Sequence, residues 1–402
     1  MTMTITHLVG GRCSGESANG VDRSIVNFAR QQARLGHRVK LIGVSYKEPY
    51  PNEGLESVTS PPGRTFLSPS LGTREEILRG EPDVLHLHGA YVPIYPGIAR
   101  FAREVGLPYV LTPHGNYSQL LLKRQPLVKS LYRRFMELPM AQRALFVHAI
   151  ADQEEIRRYG VTAPIVSAIN GIDLPELRSR SIGRTILNRF GVPESRTVFL
   201  FLGRLDVPQK GLDVLLRGFA HFLQVSCGDS DSHLVLAGPS WDGSAVALGK
   251  LATELGISDR VTLPGGVFGD EKAALISGCH FFVHPSRWEA GVPFSVLEAL
   301  SYGKQCLVSP VIDQEGALQR AGVCQVCELD ETKVAASLQI LREQNDEENQ
   351  KLALRARELI REEFSWEKPA RALLEGYRYH LDLRASGENG LKIKGGPERP
   401  SI

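Results

Sequence analysis

No sign of charge dominates this sequence: Lys and Arg number 47 against 45 Asp and Glu in 402 residues, a net of +2. No overall field therefore draws the chain to nucleic acid or another polyanion. Paired cysteines are missing as well. Six stand scattered at positions 13, 227, 279, 306, 324 and 327, and only Cys324 and Cys327 have a zinc-like gap, with no second pair to complete a site. All six read as reduced thiols of a cytoplasmic protein. No apolar run approaches the roughly eighteen residues of a membrane span. No signal peptide is expected, because Thr4–Val9 already reads as a strand with no basic segment before it. The chain has neither a Gly-x-x-x-x-Gly-Lys loop nor a Gly-x-Ser-x-Gly elbow, which removes P-loop and serine-hydrolase readings. Asp229-Ser230-Asp231 has the form of a metal-binding Asp-x-Asp, but it sits in a polar loop with no third carboxylate and reads as a solvated turn.

What is present is an apolar fraction of 42% and a charged fraction of 23%, the balance of a globular protein, in a chain too long for one ordinary core. Two α/β patterns follow one another. Ile5–Val9 leads through a glycine-rich loop, Gly10–Val21, into an amphipathic helix over 22–35, and Arg38–Val44 gives the next strand. The loop does not space its glycines as Gly-x-Gly-x-x-Gly, and the second strand ends at Val44-Ser45 without the acid that holds an adenosine ribose, which counts against a dinucleotide-binding domain. Residues 46–80 show little periodicity and are left unplaced. Asp83–His88 and Tyr109–Thr112 are strands that end at His88-Gly89 and Pro113-His114-Gly115. Ligands of parallel sheets collect at such ends, so a ligand contact is favoured for His114 over a packing role, and the two are nearly even for His88. Residues 120–143 read as helical, with Lys123, Arg124, Lys129, Arg133, Arg134 and Arg143 against the single acid Glu137. That pattern fits a core helix with a basic solvated face, or a segment lying on an anionic membrane.

The second α/β pattern begins with the strand Thr197–Leu202, which ends at Gly203-Arg204; Lys210-Gly211 then precedes a helix with one apolar face. Near its end stands VHPSRWEAGVPFSVLEALSYGKQCLVS, Val283–Ser309. A strand breaks at Pro285-Ser286, passes a glycine loop through Gly291, Val292 and Pro293, and enters a helix from Phe294 and Ser295, with Pro293 placed in its first turn. A strand, a glycine loop and a helix start make an anion site. Glu298 stands about one turn inside that helix, where it either reaches sugar hydroxyls or merely complements the helix dipole. Arg204 and Lys210 lie at the same sheet edge and match the two or so negative charges of a nucleoside diphosphate without a metal.

FLGRLDVPQKGLDVLL (Phe201–Leu216), LVLAGP, VTLPGGVFGDEKAAL and Val283–Ser309, with DVLHLHG, LTPHG and NGID before them, resemble family four of the retaining glycosyltransferases, in order and over nearly the whole chain. The resemblance implies the GT-B fold: two Rossmann-like α/β domains facing across a cleft, residues 1–178 on the acceptor side and 179–365 on the donor side. A helix over 366–383 would return to the first domain and leave 384–402 as a disordered tail. It implies that Arg204 and Lys210 hold the donor's diphosphate and that Glu298 binds its ribose. Gly265, Gly266 and Val267 would lie near the base, and His114 would meet the donor sugar. Gly10 and Gly11 would approach from the first domain. Gly291–Ser295 belong to the same binding loop. The family separates its two glutamates by seven residues, whereas Glu289 and Glu298 are separated by eight. A one-residue bulge that keeps Glu289 on the sugar is the expectation. The implied reaction moves a sugar from a nucleotide-diphosphate donor, UDP-glucose or a related UDP-sugar, to a hydroxyl of a glycan or lipid-linked glycan in polysaccharide biosynthesis. It proceeds with retention and with no metal or cofactor. A GDP donor stays open. So do a sugar-nucleotide epimerase on the same fold and a non-catalytic nucleotide-sugar binder. Nucleic acid is not an expected partner, and contact with the inner membrane face is a further expectation from the basic segment.

Overall fold

A computed structural model describes residues 2–15, 19–63, 68–118, 126–150, 153–177, 180–225, 231–313 and 316–387. The chain divides into two units: Met1–Gly15, Val21–Ala168 and Pro369–Ile402 form the first, and Ile169–Lys368, with the short stretch Glu16–Gly20, the second. Each is built on one parallel sheet.

The first sheet runs β1 (Thr4–Val9), β2 (Arg38–Val44), β3 (Glu56–Ser60), β4 (Val84–His88), β5 (Tyr109–Thr112), β6 (Val147–Ala149) and β7 (Ile165–Ser167). Their order is β3-β2-β1-β4-β5-β6-β7. The chain starts at β1, works outward to β3, then returns to β1's other side with β4, so strand direction of travel reverses between β1 and β4. The second sheet holds β8 (Thr197–Leu202), β9 (Ser232–Ala237), β10 (Val261–Gly265), β11 (Phe281–His284), β12 (Gln305–Val308) and β13 (Cys324–Val326) in the order β10-β9-β8-β11-β12-β13, reversing between β8 and β11. Such reversals leave a crevice beyond the carboxyl ends of the two central strands, where open α/β sheets bind ligands.

Helices cover both sheets, which is why β4, β5, β9, β11 and β12 are buried at every residue. The first core gathers Leu8, Ile42, Leu85, Leu87, Ile98, Tyr109 and Leu111. In the second unit, Leu200, Val235, Phe282, Leu297 and Val308 pack on one side of the sheet, and Phe199, Leu216, Phe219 and Leu236 on the other. The last helix, Glu367–Ala385, starts in the second unit and packs in the first, where Gly376 leaves no room for a Cβ against Val166. The five described cysteines are free thiols.

Several local expectations are revised. Residues 46–80 hold β3 and a helix, Leu71–Leu78, capped by Ser70 Oγ on the Thr73 N–H at 3.0 Å. Neither has the apolar period that marks an element. Leu174–Ser181 reads as a linker in the sequence, but its last two residues begin a helix, Arg180–Arg189. Pro293 is the N-cap of the helix Phe294–Ser301 instead of its first turn. The tail after 387 and Asp229-Ser230 lie outside the described residues, as do residues 119–125 of the basic segment. The rest of that segment is Pro126–Tyr132, a π-helical turn Arg133–Glu137, and Leu138–Gln142.

Glu137 turns inward. Its carboxylate accepts from Tyr117 OH at 2.9 Å and from the Tyr91 N–H at 3.1 Å, and the residue is fully buried. Burial pushes its pKa from 4.5 up to about 7, although both hydrogen bonds pull the other way. Between these values the folded chain binds a proton that the unfolded chain has lost, so stability falls as pH rises. The contribution is whole below pH 4.5 and gone once pH passes the folded value. Glu137→Gln cannot ionise. Thermal melts from pH 5 to 8 should show the variant gaining on the parent by up to about 3 kcal/mol, and a gap that does not change with pH would refute the assignment.

Candidate active site

The reversal in the second sheet is held shut by side chains from both exits. After β8 the chain passes Arg204, and Asp206 caps the short turn Val207–Lys210 through the Gln209 N–H at 3.2 Å. Gly211 follows in the left-handed region at φ 64°, and a Cβ there would stand 2.2 Å from the Pro285 carbonyl oxygen. Only glycine meets both demands. After β11 the chain lays Pro285–Glu289 along that turn. The Arg287 fork takes both Asp213 oxygens at 2.9 and 2.8 Å, its NH1 also reaches the Val207 carbonyl at 2.9 Å, and its backbone N–H donates to the Gln209 carbonyl at 2.7 Å.

Inside this clasp Lys210 Nζ donates to Glu289 Oε1. The same oxygen accepts from Ser286 Oγ at 2.6 Å and lies 3.4 Å from His284 Nε2. Among the described residues all of these contacts fall on Glu289 Oε1 and none on Oε2. Burial alone would raise the Glu289 carboxyl; the Lys210 ammonium, aided by His284, more than offsets it and brings the pKa from 4.5 down to about 2. His284 is itself driven toward the neutral form by burial. Lys210 keeps donors beyond the one given to Glu289, since an ammonium carries three. Arg204 donates to Gln209 Oε1 at 2.9 Å, meets Asp206 at 3.2 Å and lies 4.6 Å from the Trp241 ring centroid. It remains nearly half exposed.

Glu298 is placed by the helix Phe294–Ser301, which Gly303 ends at φ 71°, with the Lys304 N–H closing back on the Ala299 carbonyl at 2.9 Å. Its Oε1 accepts from Lys272 Nζ at 2.6 Å. The loop residues Gly291, Val292, Pro293, Phe294 and Ser295 are each half-buried. Gly265 ends β10 at φ 84° with its carbonyl accepting the Gly238 N–H at 2.8 Å, Gly266 follows it, and Val267 is buried in the core.

The structure therefore joins Arg204, Lys210 and Glu289 through Asp206 and Gln209, and ties Glu298 to a different lysine. Gly10, Gly11 and His114 belong to the first unit, at its own strand reversal. The Gly10 N–H donates to Tyr95 OH at 3.1 Å, and that hydroxyl donates to the His88 carbonyl at 2.5 Å. Gly11 takes φ 144°. His88 Nδ1 and His114 Nε2 are 3.1 Å apart, and His114 holds φ 50°, an uncommon conformation for a residue with a side chain. Sequence reasoning passed over Lys272, Trp241, Asp206, Ser286 and His284. Asp206 carried a local signal, a capping residue before Val-Pro; Ser286 and His284 stand three and five residues before Glu289 with no motif to mark them, and Lys272 and Trp241 reach Glu298 and Arg204 from far along the sequence.

Residues 18–176 match the family described as Glycosyltransferase Family 4, and residues 196–344 match Glycosyl transferases group 1. The chain is 29% identical over 321 residues to D-inositol 3-phosphate glycosyltransferase of Rhodococcus opacus (strain B4), covering 76% of this chain and 70% of that one. It is 29% identical over 240 residues to UDP-Gal:alpha-D-GlcNAc-diphosphoundecaprenol alpha-1,3-galactosyltransferase of Escherichia coli, covering 57% of this chain and 58% of that one. Among solved structures, Anabaena HepE in complex with UDP and glucose superposes with a TM-score of 0.72 over 93% of this chain and 98% of that one, at 18% identity, a likeness of fold.

Removing one member of a buried pair strands the other charge, at a cost of about 3 kcal/mol. Lys210→Ala should lose that much stability, and adding Glu289→Gln should recover most of it. All three tryptophans lie in the second unit, so urea melts followed by tryptophan fluorescence report on the right unit. A double variant no more stable than Lys210→Ala would show that the pair is not what holds the loops.

Proposed function

This chain belongs to glycosyltransferase family 4, and on that footing we propose that it moves a hexose from a UDP-sugar such as UDP-glucose to a hydroxyl of a glycan or lipid-linked glycan, with retained configuration and no metal. It is a glycosyltransferase, and its two parallel-sheet units are those of the GT-B fold. The observation that carries the finer reading is the clasp at the second sheet's reversal, where the chain's own side chains hold Lys210 and Arg204 in place.

In this reading Arg204 and Lys210 take the diphosphate and stabilise the charge that grows on it as the sugar leaves. Their partners Asp206 and Glu289 have already fixed their geometry, so little reorganisation accompanies the step. Glu289 keeps Lys210 aimed through Oε1 and offers Oε2 to the donor sugar. Glu298, steadied by Lys272, takes the ribose hydroxyls, and Gly265–Val267 and Gly291–Ser295 line the base and phosphates. In the first unit Gly10 and Gly11 bring backbone to the ligand, and His114 meets the sugar. Attack by the acceptor on the face the diphosphate leaves needs no enzyme nucleophile, only positioning. The galactosyltransferase of Escherichia coli is named for a lipid-diphosphate acceptor and HepE was solved with UDP and glucose; both support the choice of partners made here, in a polysaccharide-building role.

Contact with an anionic membrane has its own support. Leu127, Val128, Leu131 and Phe135 are exposed by 81%, 69%, 60% and 64%, on the same stretch as Lys129, Arg133 and Arg134. Apolar side chains beside basic ones suit the boundary between headgroups and acyl chains. No described helix is long and apolar enough to cross a membrane.

Two measurements follow. With UDP-glucose and an acceptor, Arg204→Ala should turn over about 10²–10³ more slowly, while a chelator leaves the parent's rate unchanged and product NMR shows retention. Undiminished turnover in the variant would end the proposed role of Arg204. Sedimentation with phosphatidylglycerol vesicles should bring the parent down and leave Leu131→Ser/Phe135→Ser in solution; equal behaviour of the two would remove the membrane contact.

A further inference from the structure

One face of the first sheet is lined with histidines. His7 of β1, His86 and His88 of β4, and His148 of β6 are all buried. The rings of His86 and His88 stack at 4.2 Å, those of His7 and His88 at 5.0 Å. Their hydrogen bonds form two runs. In one, His148 Nε2 meets the Ala168 carbonyl at 2.8 Å, Thr112 Oγ1 bridges His148 Nδ1 at 2.9 Å and His86 Nε2 at 2.6 Å, and His86 Nδ1 meets Tyr377 OH at 2.5 Å. In the other, Gln32 Oε1 meets His7 Nε2 at 2.8 Å, His7 Nδ1 meets His88 Nε2 at 2.8 Å, and His88 Nδ1 meets His114 Nε2 at 3.1 Å. Among the described residues, His114 Nδ1 is buried with no partner.

Burial drives each ring neutral, His7 and His148 to a pKa of about 4 and His114 to about 3. A neutral imidazole carries one N–H, so a fixed end sets a whole run. A carbonyl only accepts: His148 therefore carries its proton on Nε2 and accepts on Nδ1 from Thr112. The threonine oxygen then accepts from His86 Nε2–H, and Tyr377 donates to His86 Nδ1. The second run has its own fixed end: the Gln32 amide oxygen, 2.8 Å from His7 Nε2, only accepts. His7, His88 and His114 each then hold their proton on Nε2.

We propose that this directed run, from the Gln32 amide oxygen through His7 and His88, holds His114 in the tautomer whose bare Nδ1 accepts a hydrogen bond from a hydroxyl of the bound sugar. Gln32, His7 and His88 are positioning residues. The assignment rests on the reading above that a sugar meets His114, and it names the group the site demands there: an O–H donor. The left-handed backbone at His114 is a strained conformation of the kind kept where a site requires it. A metal cage, which ligand atoms of His7, His86 and His88 within 4.8 Å of one another would allow, fits less well. Two imidazoles on one tetrahedral ion keep their nitrogens about 3.3 Å apart, whereas His7 and His88 share a proton at 2.8 Å.

The test reads the tautomer directly. In ligand-free protein carrying ¹⁵N-histidine, with signals assigned by single histidine replacements, His7, His88 and His114 should all appear as Nε2–H. Gln32→Leu should mix the tautomers and weaken UDP-glucose binding about tenfold, leaving UDP binding unchanged; Gln32→Glu, which restores an acceptor toward His7, should recover both. If Gln32→Leu does not fold, His7→Phe cuts the run between Gln32 and His88 with the same expected result for His88 and His114. A proton on Nδ1 of His114 in the parent, a ratio of UDP-glucose to UDP affinity unmoved by Gln32→Leu, or a stoichiometric metal on the rings would overturn the proposal. Should the parent bind neither ligand, the sugar-nucleotide reading fails, and the tautomer spectrum still decides the chain.

Discussion

One carboxylate oxygen, Glu289 Oε1, carries the geometry of the second unit's reversal. It collects an ammonium, a hydroxyl and an imidazole from Lys210, Ser286 and His284. Without it Lys210 would be a nearly buried cation facing the end of a parallel sheet, a position that costs several kcal/mol. With it, two loops from strands far apart in sequence become one body: Arg287 grips Asp213 on the far side, and Gly211 fits under the Pro285 carbonyl. The formal charges of Arg204, Lys210 and Lys272 are each answered by an acid, Asp206, Glu289 and Glu298. On the proposed reading, attraction for an anion there comes from no surplus charge but from cations whose orientation is set and whose donors are only partly used.

The first unit solves the matching problem without charge. Its reversal, between β1 and β4, presents histidines that burial keeps neutral. A neutral chain has direction but no net field, and its direction persists at neutral pH because the rings titrate far below it. A group that must tell a hydroxyl from a phosphate oxygen gains from this: a bare ring nitrogen welcomes an O–H and repels an anion. The two reversals are thus complementary in chemistry, one suited to charge and the other to hydroxyls.

Much of this was legible in the sequence, and what was missed has a common cause. Alternating apolar strands and periodic helices announced two parallel α/β units, and Gly203-Arg204, Lys210-Gly211 and Glu298 stand at strand and helix ends that local pattern marks. Gly303, a glycine just past an apolar helical run, is the local mark of a left-handed cap, and it stands at φ 71°. The strand Glu56–Ser60 escaped because edge strands need no apolar run, and Glu137 was read as one acid on a basic surface because nothing local says which way a side chain turns. Lys272 is 26 residues from Glu298, and Gln32 is 25 from His7. Such pairs are fixed by topology, which brings together what no short motif contains.

The spacing between the two glutamates is the sharpest instance. Eight residues separate Glu289 from Glu298, and helix periodicity alone would make that one too many. Yet the two carboxylates are not positioned by a shared helix. Glu289 precedes the helix and is fixed by Lys210, Ser286 and His284; Glu298 lies within the helix and is fixed by Lys272. The loop between them passes through Gly291 at φ 79°, a conformation that absorbs an added residue at little cost. Register matters where one rigid element carries two groups. Where each group has its own anchor, the chain between them is free to change length, and the chemistry at either end need not follow.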